Sequence, residues 1–296
     1  MRYTKPPLSF SEKADLLLSR GLIAERSHLI EKLQAVSYYR LSGYLFPFRN
    51  PDDSLKPGTS FETVWKRYTF DRQLRLLVLD AIERIEIAVR TSLVYKHVHK
   101  FGPFGYQNHA HLPNMSYEKH ADFMQRLSNE QRRNKEVFVR HFSHKYGDTH
   151  RHPPFWMNCE IMTFGMTLTL INAIEKSMRQ ELSALYGVPD NVFLSWIRSI
   201  NGIRNICAHH SRLWNREVGY KPDIPRQRKN PQWHVPVEVR NNRIFGVLTV
   251  MKYLMNRIAP QSNWKSRLED LLVKYPEIPL GPMGFVENWR DCPIWR

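Results

Sequence analysis

Length, composition and charge limit what this chain can be. Of its 296 residues, 42% are hydrophobic and 12% are aromatic, which is enough for a buried core and excludes a chain that is disordered throughout. Lys and Arg number 44 against 28 Asp and Glu, a formal net charge of +16. Such an excess attracts polyanions, so nucleic acid is a better expected partner than a membrane, for which we find no basic amphipathic helix with a clean apolar face. The alternative is a solvated basic surface without a specific partner.

The cysteines and the apolar runs indicate the compartment. Cys159, Cys207 and Cys292 lie far apart in the sequence, and this pattern predicts neither disulfide bonds nor a zinc site. Residues 1–10 lack the apolar segment of a signal peptide, and no run reaches 18 apolar residues. We therefore expect a cytoplasmic protein that does not enter the membrane and uses no cofactor.

An N-terminal helical segment is expected over residues 1–59. Its residues 10–35 predict two short helices, the first of them capped by Ser11. An aromatic run follows, and a loop rich in Pro, Gly and Asp ends the segment. We expect the tyrosines of the aromatic run to pack in the core rather than to stack on bases: Tyr38, Tyr39 and Tyr44.

A core is expected over residues 60–260, beginning with one long helix at 60–99, where Pro and Gly are absent. One seam of this helix is apolar and contains Leu74, Val78, Ala81, Ile85 and Ala88. A second seam carries four charges on a face that a bundle normally buries, and contains Arg72, Leu76, Leu79, Glu83, Glu86 and Arg90. We expect Glu83, Glu86 and Arg90 to position a functional side chain of a neighbouring helix. The alternative is a surface pair of Glu86 with Arg90, which contributes about 0.3–0.5 kcal/mol.

Residues 101–152 are expected to form a polar insertion beside the core, with a helix near 116–142. Seven of the 13 histidines fall in it: His109, His111, His120, His141, His144, His150 and His152. Because no carboxylate or cysteine spacing accompanies them, we expect no metal site.

The rest of the core predicts helices at 155–175 and 176–186, and a third from Pro189-Asp190 to about residue 213. A basic loop and a further helix follow. A C-terminal helix and a tail rich in Pro, Gly and Trp complete the chain over residues 261–296. Without repeats or strand alternation, the expected class is all-α, a helical bundle with additions.

The candidate chemistry lies in residues 203–216. On a helix at 100° per residue, Arg204, Asn205 and His209 share one polar arc. His210 falls on the opposite side of the helix, among isoleucines. We therefore expect it to be a core histidine or to hold the functional side chains in position.

Arginine and histidine on one face suit the cleavage of RNA without a metal. His209 can transfer protons near neutral pH, Arg204 can hold phosphate oxygens, and Asn205 can orient the imidazole. One histidine cannot be base and acid at once, which favours a homodimer in which two copies face each other. The alternative is a solvated helix face without chemistry. The expected contacts to the RNA backbone, or else ordinary solvated side chains, are Arg212, Arg216, Arg226, Arg228, Lys229, Arg132 and Arg133.

Several motifs of the sequence resemble those of one protein family. The spacing of Arg204 and His209 resembles the Arg-x4-6-His motif of the HEPN superfamily. The longer run Arg-Asn-x-x-Ala-His-His-x-Arg-Leu-Trp-Asn-Arg, which ends at Arg216, resembles the Abi-like family of phage abortive-infection proteins, of the AbiD and AbiF type. Further matching motifs are Tyr38 to Tyr44, Tyr68 to Arg72, Glu83 to Arg90, Phe101 to Gly105, Phe155 to Gly165 and Gly284 to Trp289.

The resemblance implies a HEPN-type four-helix bundle that dimerises with its two motifs in an interface cleft. It implies a metal-independent endoribonuclease toxin that leaves a 2′,3′-cyclic phosphate and acts against phage, with Arg204 and His209 catalytic and Asn205 supporting them. Some relatives are associated with a small structured RNA. Two alternatives remain open: a non-catalytic RNA-binding module that holds such an RNA, and a helical toxin that binds protein.

Overall fold

The computed structural model describes residue 2 and residues 6–296; Met1 and residues 3–5, part of the stretch searched for a signal peptide, lie outside the described residues. The described chain forms twelve α-helices linked by turns and short 3-10 segments, which confirms the all-α expectation. Across residues 6–296, no helix is both long and apolar enough to pass through a lipid bilayer.

The chain forms two compact units. The smaller unit comprises residues 1–76 and 268–279, and the larger unit comprises residues 77–267 and 280–296. Two helices, α4 (Phe61–Phe101) and α12 (Trp264–Lys274), contribute residues to both units. The long helix predicted at 60–99 is confirmed by α4.

The smaller unit begins with three short helices, α1 (Phe10–Ser19), α2 (Arg26–Ala35) and α3 (Tyr38–Leu45). The cap of α1 is Ser9 and not Ser11. The Ser9 hydroxyl accepts from the Glu12 backbone N–H at 3.2 Å, and the Glu12 carboxylate accepts from the Ser9 N–H at 2.7 Å. This reciprocal arrangement needs Glu or Gln three positions after the cap, and Glu12 stands in that position relative to Ser9.

A buried polar network holds α3 to α4 within the smaller unit. Asp71, which is fully buried, accepts from the Tyr44 hydroxyl and from Arg75 Nη1, both at 2.5 Å. Burial, the Asp71 charge and its hydrogen bond together raise the pKa of Tyr44. Of the tyrosines expected in the core, Tyr44 is buried and Tyr38 is half-buried. Tyr39 is 88% exposed, so for that residue the expectation is wrong.

The larger unit is built around α10 (Asp190–Ala208), which packs against α8 (Phe164–Ala173), α9 (Lys176–Ala184) and α11 (Ile244–Ile258). The second part of α4 is joined to α9 by an ion pair of Lys96 with Glu181 at 2.9 Å. The remaining helices of this unit are α5 (Tyr117–Arg133), α6 (Val137–Tyr146) and the one-turn α7 (Phe155–Asn158).

Two helices predicted as continuous are each divided at a side chain that hydrogen bonds to the backbone. The run predicted at 155–175 breaks before α8, where the Thr163 hydroxyl accepts from the Met166 backbone N–H at 3.3 Å. The run predicted at 116–142 breaks between α5 and α6, where the Asn134 side chain accepts from the Glu136 N–H at 2.8 Å. Hydroxyl and amide side chains compete with the backbone for such hydrogen bonds, and at Thr163 the hydroxyl also caps the new helix.

The C-terminal tail is part of the core of the larger unit. Helix α11 begins at Ile244 and is buried along most of its length. Trp295 donates from Nε1 to the Thr249 hydroxyl at 3.0 Å, and the ring of Phe285 packs on that of Phe245 at 4.5 Å. These aromatic side chains cover a helix whose apolar surface is too wide for one neighbour alone.

Several histidines of the insertion have structural partners. The rings of His109, His111 and His120 hydrogen bond to the backbone carbonyls of Met115, Gly105 and Tyr106 at 2.7, 2.9 and 3.1 Å. These bonds hold irregular loops between α4 and α5. In the part of the chain that the structure describes, no three His, Cys, Asp or Glu side chains are grouped so that they could bind a metal ion.

Candidate active site at the end of helix α10

The last turn of α10 is closed by a Schellman motif. The Ser211 backbone N–H donates to the Ile206 carbonyl at 2.9 Å, and the His210 N–H donates to the Cys207 carbonyl at 3.0 Å. His210 has φ 56°, in the left-handed region where helices usually place glycine. The chain therefore reverses direction within the histidine pair.

This turn corrects the expected end of the helix. The helix stops at Ala208 rather than near residue 213, and His209 is its C-cap residue. His210 has left the helix and is exposed, so its expected place among the isoleucines is wrong. His209 and Asn205 are also exposed, whereas Arg204 is half-buried.

The positive charge of Arg204 acts on a carboxylate of α4. Burial raises the pKa of Glu86, while the charges of Arg90 and Arg204 oppose that rise. Arg90 donates from Nη2 to Glu86 Oε1 at 2.5 Å, and these two side chains are only 11% and 15% exposed. The seam of α4 that carries Glu86 thus approaches the motif helix at Arg204. Glu83, one turn earlier, is exposed.

Arg90 also fixes the chain that leads into α8. Its Nη2 donates to the Met162 carbonyl at 3.0 Å, directly before the cap of α8. The second residue of that helix, Gly165, lies near α10, because Asn201 Oδ1 is 3.9 Å from the position that a Cβ of residue 165 would take. The polar face of α10 that carries Arg204 and Asn205 therefore extends one turn earlier to Asn201, which lies next to α8.

A groove of about 660 Å³ opens between α5 and α8. Its walls carry three cations, Lys119, Arg126 and Arg133, and two carboxylates, Asp122 and Glu130. Gly165, which lies near Asn201 of α10, also lines this groove. Of the two arginines expected to bind RNA at the end of α5, Arg133 lines this groove, whereas Arg132 hydrogen bonds to Asn129 at 2.5 Å.

After the turn, the chain runs back along α10. The Asp223 backbone N–H donates to the Ser195 hydroxyl at 2.9 Å, and its carbonyl accepts from Trp196 Nε1 at 2.8 Å. Tyr220 lies beside Gly202, since its Cδ2 would stand 3.2 Å from a Cβ at that position. Residues later in the segment thus lie against earlier turns of the helix.

The basic loop reaches the opposite end of α10. Arg226 and Lys229 line a cavity of about 840 Å³ together with Asn191 and Val192 of the first helical turn. A helix of 19 residues is about 28 Å long, so this cavity is far from His209. Six of the seven expected RNA contacts are exposed, namely Arg216, Arg226, Arg228, Lys229, Arg132 and Arg133, and Arg212 is half-buried.

Cys159 lies near Arg90 but is not suited to nucleophilic chemistry. Burial raises the pKa of its thiol to about 12, and the neighbouring carboxylate of Glu160, 3.5 Å from Sγ, adds to the rise. The thiol is therefore protonated at neutral pH, and only the thiolate is an effective nucleophile.

Two features of this site were missed in the sequence: the Met162 carbonyl and Tyr220. A signal existed for the last, because an isolated glycine inside a helix costs about 1 kcal/mol relative to alanine and so indicates a close approach. Gly202 is such a glycine, and Tyr220 is what approaches it. The sequence alone could not identify Tyr220 as the residue that approaches Gly202, because that contact depends on the tertiary structure.

The comparisons agree with the motifs that this site contains. No curated protein and no solved structure matches the chain significantly. A family model described as Abi-like protein matches residues 31–215, which includes α4, α8 and α10 as far as the turn at His210. Since that match covers more than half of the sequence, the chain belongs to the Abi-like protein family.

Proposed function

We propose that this protein is a metal-independent endoribonuclease toxin of an abortive-infection system, acting on RNA in the cytoplasm against phage. The observation that carries the proposal is the combination of a half-buried Arg204, near the charge of Glu86, with an exposed His209 five residues later at the end of the helix. The first supplies a fixed positive charge, and the second supplies a group that exchanges protons in water.

The proposed reaction transfers the phosphoryl group within the RNA. A His209 imidazole takes the proton of a ribose 2′-hydroxyl, whose oxygen forms a bond to phosphorus while the bond from phosphorus to the 5′-oxygen breaks. The leaving 5′-oxygen receives a proton, and the products are a 2′,3′-cyclic phosphate and a 5′-hydroxyl. Arg204 holds the phosphate oxygens, on which negative charge increases in the transition state, and Asn205 donates beside it.

The Glu86–Arg90 pair is proposed to position Arg204. A carboxylate partner limits the rotamers of the guanidinium, and rigid placement is what a phosphate-binding group requires. Because Arg90 also holds the Met162 carbonyl at 3.0 Å, the same network ties Arg204 to the start of α8. Glu83 and His210 are both exposed. In this proposal they therefore lie at the edge of the site and have only a secondary positioning role.

We further propose a homodimer in which each subunit contributes its HEPN-type motif. One histidine then acts as base and the partner subunit's His209 as acid, which solves the need for two opposite proton transfers. Exposure of His209 at the end of a helix is compatible with this arrangement. RNA is the proposed substrate because of the +16 charge and because three cations against two carboxylates line the groove between α5 and α8.

The test is cleavage of total RNA and tRNA in EDTA by wild type, Arg204→Ala and His209→Ala. We expect wild type to leave 2′,3′-cyclic phosphate ends and both variants to lose at least about 100-fold in rate. His141→Ala is a matched control, because His141 is an exposed histidine of α6 outside the site. Equal cleavage by wild type and His209→Ala would refute the assignment.

A non-catalytic RNA-binding module, which holds a small structured RNA, is the second candidate. It is favoured by one observation: the cavity lined by Arg226 and Lys229 lies at the end of α10 away from His209. On this account Arg226→Glu with Lys229→Glu weakens binding and flattens its salt dependence. Binding by wild type without cleavage, and unchanged in His209→Ala, would support this second function.

A further inference from the structure

Tyr220 is an exposed aromatic residue held against the backbone of α10. Its side chain is 60% exposed. Its ring atoms Cδ2 and Cε2 lie 3.2 and 3.9 Å from the position that a Cβ of residue 202 would take. The ring can approach this closely because residue 202 is glycine.

The segment that carries Tyr220 is anchored on both sides. Two residues earlier, the Val218 backbone N–H donates to the Asn242 carbonyl at 3.0 Å. Three residues later, the Asp223 N–H donates to the Ser195 hydroxyl at 2.9 Å. Tyr220 is therefore an exposed ring on a fixed backbone, and binding by such a ring costs little conformational entropy.

The ring lies beside the polar arc of the candidate active site. Gly202 precedes Asn205 by three residues and His209 by seven, so it is about 10 Å from His209 along the axis and about 20° from it around the helix. Arg198, one turn earlier on the same side, is exposed. An aromatic face, the cation of Arg198, and the motif residues Asn205 and His209 thus follow one another along one side of α10.

We propose that Tyr220 forms a nucleobase subsite, on which an unpaired base of RNA stacks next to the nucleotide held at Arg204 and His209. This inference rests on the proposed function, because its ligand is the RNA substrate. Arg198 takes a phosphate beside that base. Stacking on an aromatic side chain accepts any of the four bases, so the subsite selects unpaired segments over duplex and not one sequence.

Its exposure distinguishes Tyr220 from the packing aromatics of the same unit. Tyr253, for example, is 5% exposed and packs on the rings of Trp196 and Trp233, each at 5.3 Å. Tyr220 leaves most of its ring in solvent, and tyrosine is among the residues that binding surfaces use in this way.

The experiment measures base stacking in the absence of cleavage. All variants are made in the His209→Ala background and titrated into a single-stranded 12-nucleotide RNA that carries one 2-aminopurine, a base whose fluorescence is quenched by stacking. A second RNA lacks that base but keeps the sugar and phosphate. Tyr220→Ala, Tyr220→Phe and the control Tyr95→Ala are compared, because Tyr95 is 63% exposed on α4.

We expect Tyr220→Ala to weaken binding of the base-bearing RNA about 10-fold or more and to remove the quenching, whereas Tyr220→Phe and Tyr95→Ala behave as the parent protein. The RNA that lacks the base should not distinguish Tyr220→Ala from the parent. Circular dichroism and size-exclusion chromatography establish that each variant keeps its fold and its oligomeric state.

The two proposals fail in different ways. If wild type neither cleaves nor binds RNA, the proposed function is wrong and the subsite with it. If wild type cleaves RNA but Tyr220→Ala binds both oligonucleotides as the parent does, only the subsite is refuted. Loss of affinity in Tyr220→Phe as large as in Tyr220→Ala, or a change of oligomeric state in Tyr220→Ala, would likewise overturn the subsite.

Discussion

Arg204 of α10 lies close enough to Glu86 of α4 for its positive charge to oppose the rise in pKa that burial imposes on that carboxyl group. Arg90, on the other hand, hydrogen bonds to Glu86 directly at 2.5 Å. Glu86 is thus bonded to a structural arginine and lies within the electrostatic influence of the arginine of the proposed active site. The proposed mechanism makes the position of Arg204 depend on this carboxylate, which need not touch RNA.

The first prediction concerns Glu86→Gln, which keeps the shape of the side chain and removes its charge. We expect the rate of RNA cleavage at saturating substrate to fall about 10- to 100-fold, because Arg204 loses the charge that holds it in place. KM should change little, since Glu86 binds no substrate in this mechanism. Single-turnover kinetics separate the two parameters. Glu83→Gln, at an exposed position of the same helix, should cleave as wild type.

A second prediction concerns the buried network of the smaller unit. In Asp71→Asn, the buried Arg75 loses its carboxylate partner at 2.5 Å, and breaking a buried pair in this way costs about 3–5 kcal/mol. We expect the free energy of unfolding in urea to fall by that amount. The matched variant Tyr44→Phe removes only the hydroxyl bonded to Asp71 and should cost about 1 kcal/mol. Similar losses in both variants would contradict the view that the buried charge dominates.

Local sequence patterns were sufficient to predict those helices whose extent depends on interactions between neighbouring residues. The long helix α4 follows from an uninterrupted run without Pro or Gly, and α10 begins at Asp190, directly after a proline, as predicted. The break before α8 was missed because Thr163 stands in an apolar run, where its side chain gives no sign that it will cap a helix instead of continuing one.

The candidate site was only partly predictable for a related reason. Helical projection placed Arg204, Asn205 and His209 on one arc, but it assumed that the helix continued and so misplaced His210. Whether a histidine continues a helix or takes the left-handed turn depends on what packs beyond the end. The proximity of Arg204 to Glu86 joins residues more than 100 positions apart, and no periodicity in the sequence encodes that distance.

The third prediction concerns pH and His97, which is 1% exposed and lacks a hydrogen-bond partner for either ring nitrogen among the described residues. Burial lowers its pKa to about 4, and the nearby His111 contributes to the shift. Because the unfolded chain binds a proton near pH 6.5 and the folded chain does not, stability is lost as pH falls below 6.5. Between pH 7 and 5 this residue should account for about 2 kcal/mol of lost stability.

The measurement is urea unfolding of wild type and His97→Leu at several pH values. His97→Leu should be within about 1.5 kcal/mol of wild type at pH 7, because the ring packs against Phe101 and Phe155 and makes no polar contact that leucine would lose. At pH 5 the difference should shift by about 2 kcal/mol in favour of His97→Leu. Parallel pH profiles for the two proteins would show that His97 titrates normally.

The fourth prediction separates stability from binding at Gly202. Replacing this helical glycine by alanine favours the helix by up to about 1 kcal/mol. The new Cβ would stand 3.2 Å from the Tyr220 ring, which must move by a few tenths of an ångström and can do so because it is mostly exposed. We therefore expect Gly202→Ala to raise the free energy of unfolding and to reduce 2-aminopurine quenching, with weaker RNA binding.

Gly284→Ala is the opposite case and serves as the control for that prediction. Gly284 has φ 91°, and its Cβ would stand 2.7 Å from the Cβ of Arg243, so the substitution meets both a strained backbone and a neighbour close to the main chain. It should destabilise the larger unit by about 1–3 kcal/mol while leaving the affinity of the folded protein for RNA unchanged.

If Gly202→Ala instead lowered stability as Gly284→Ala does, the Tyr220 ring would have to be fixed more firmly than its exposure indicates. If it raised stability without affecting RNA binding, the ring would have no part in the site.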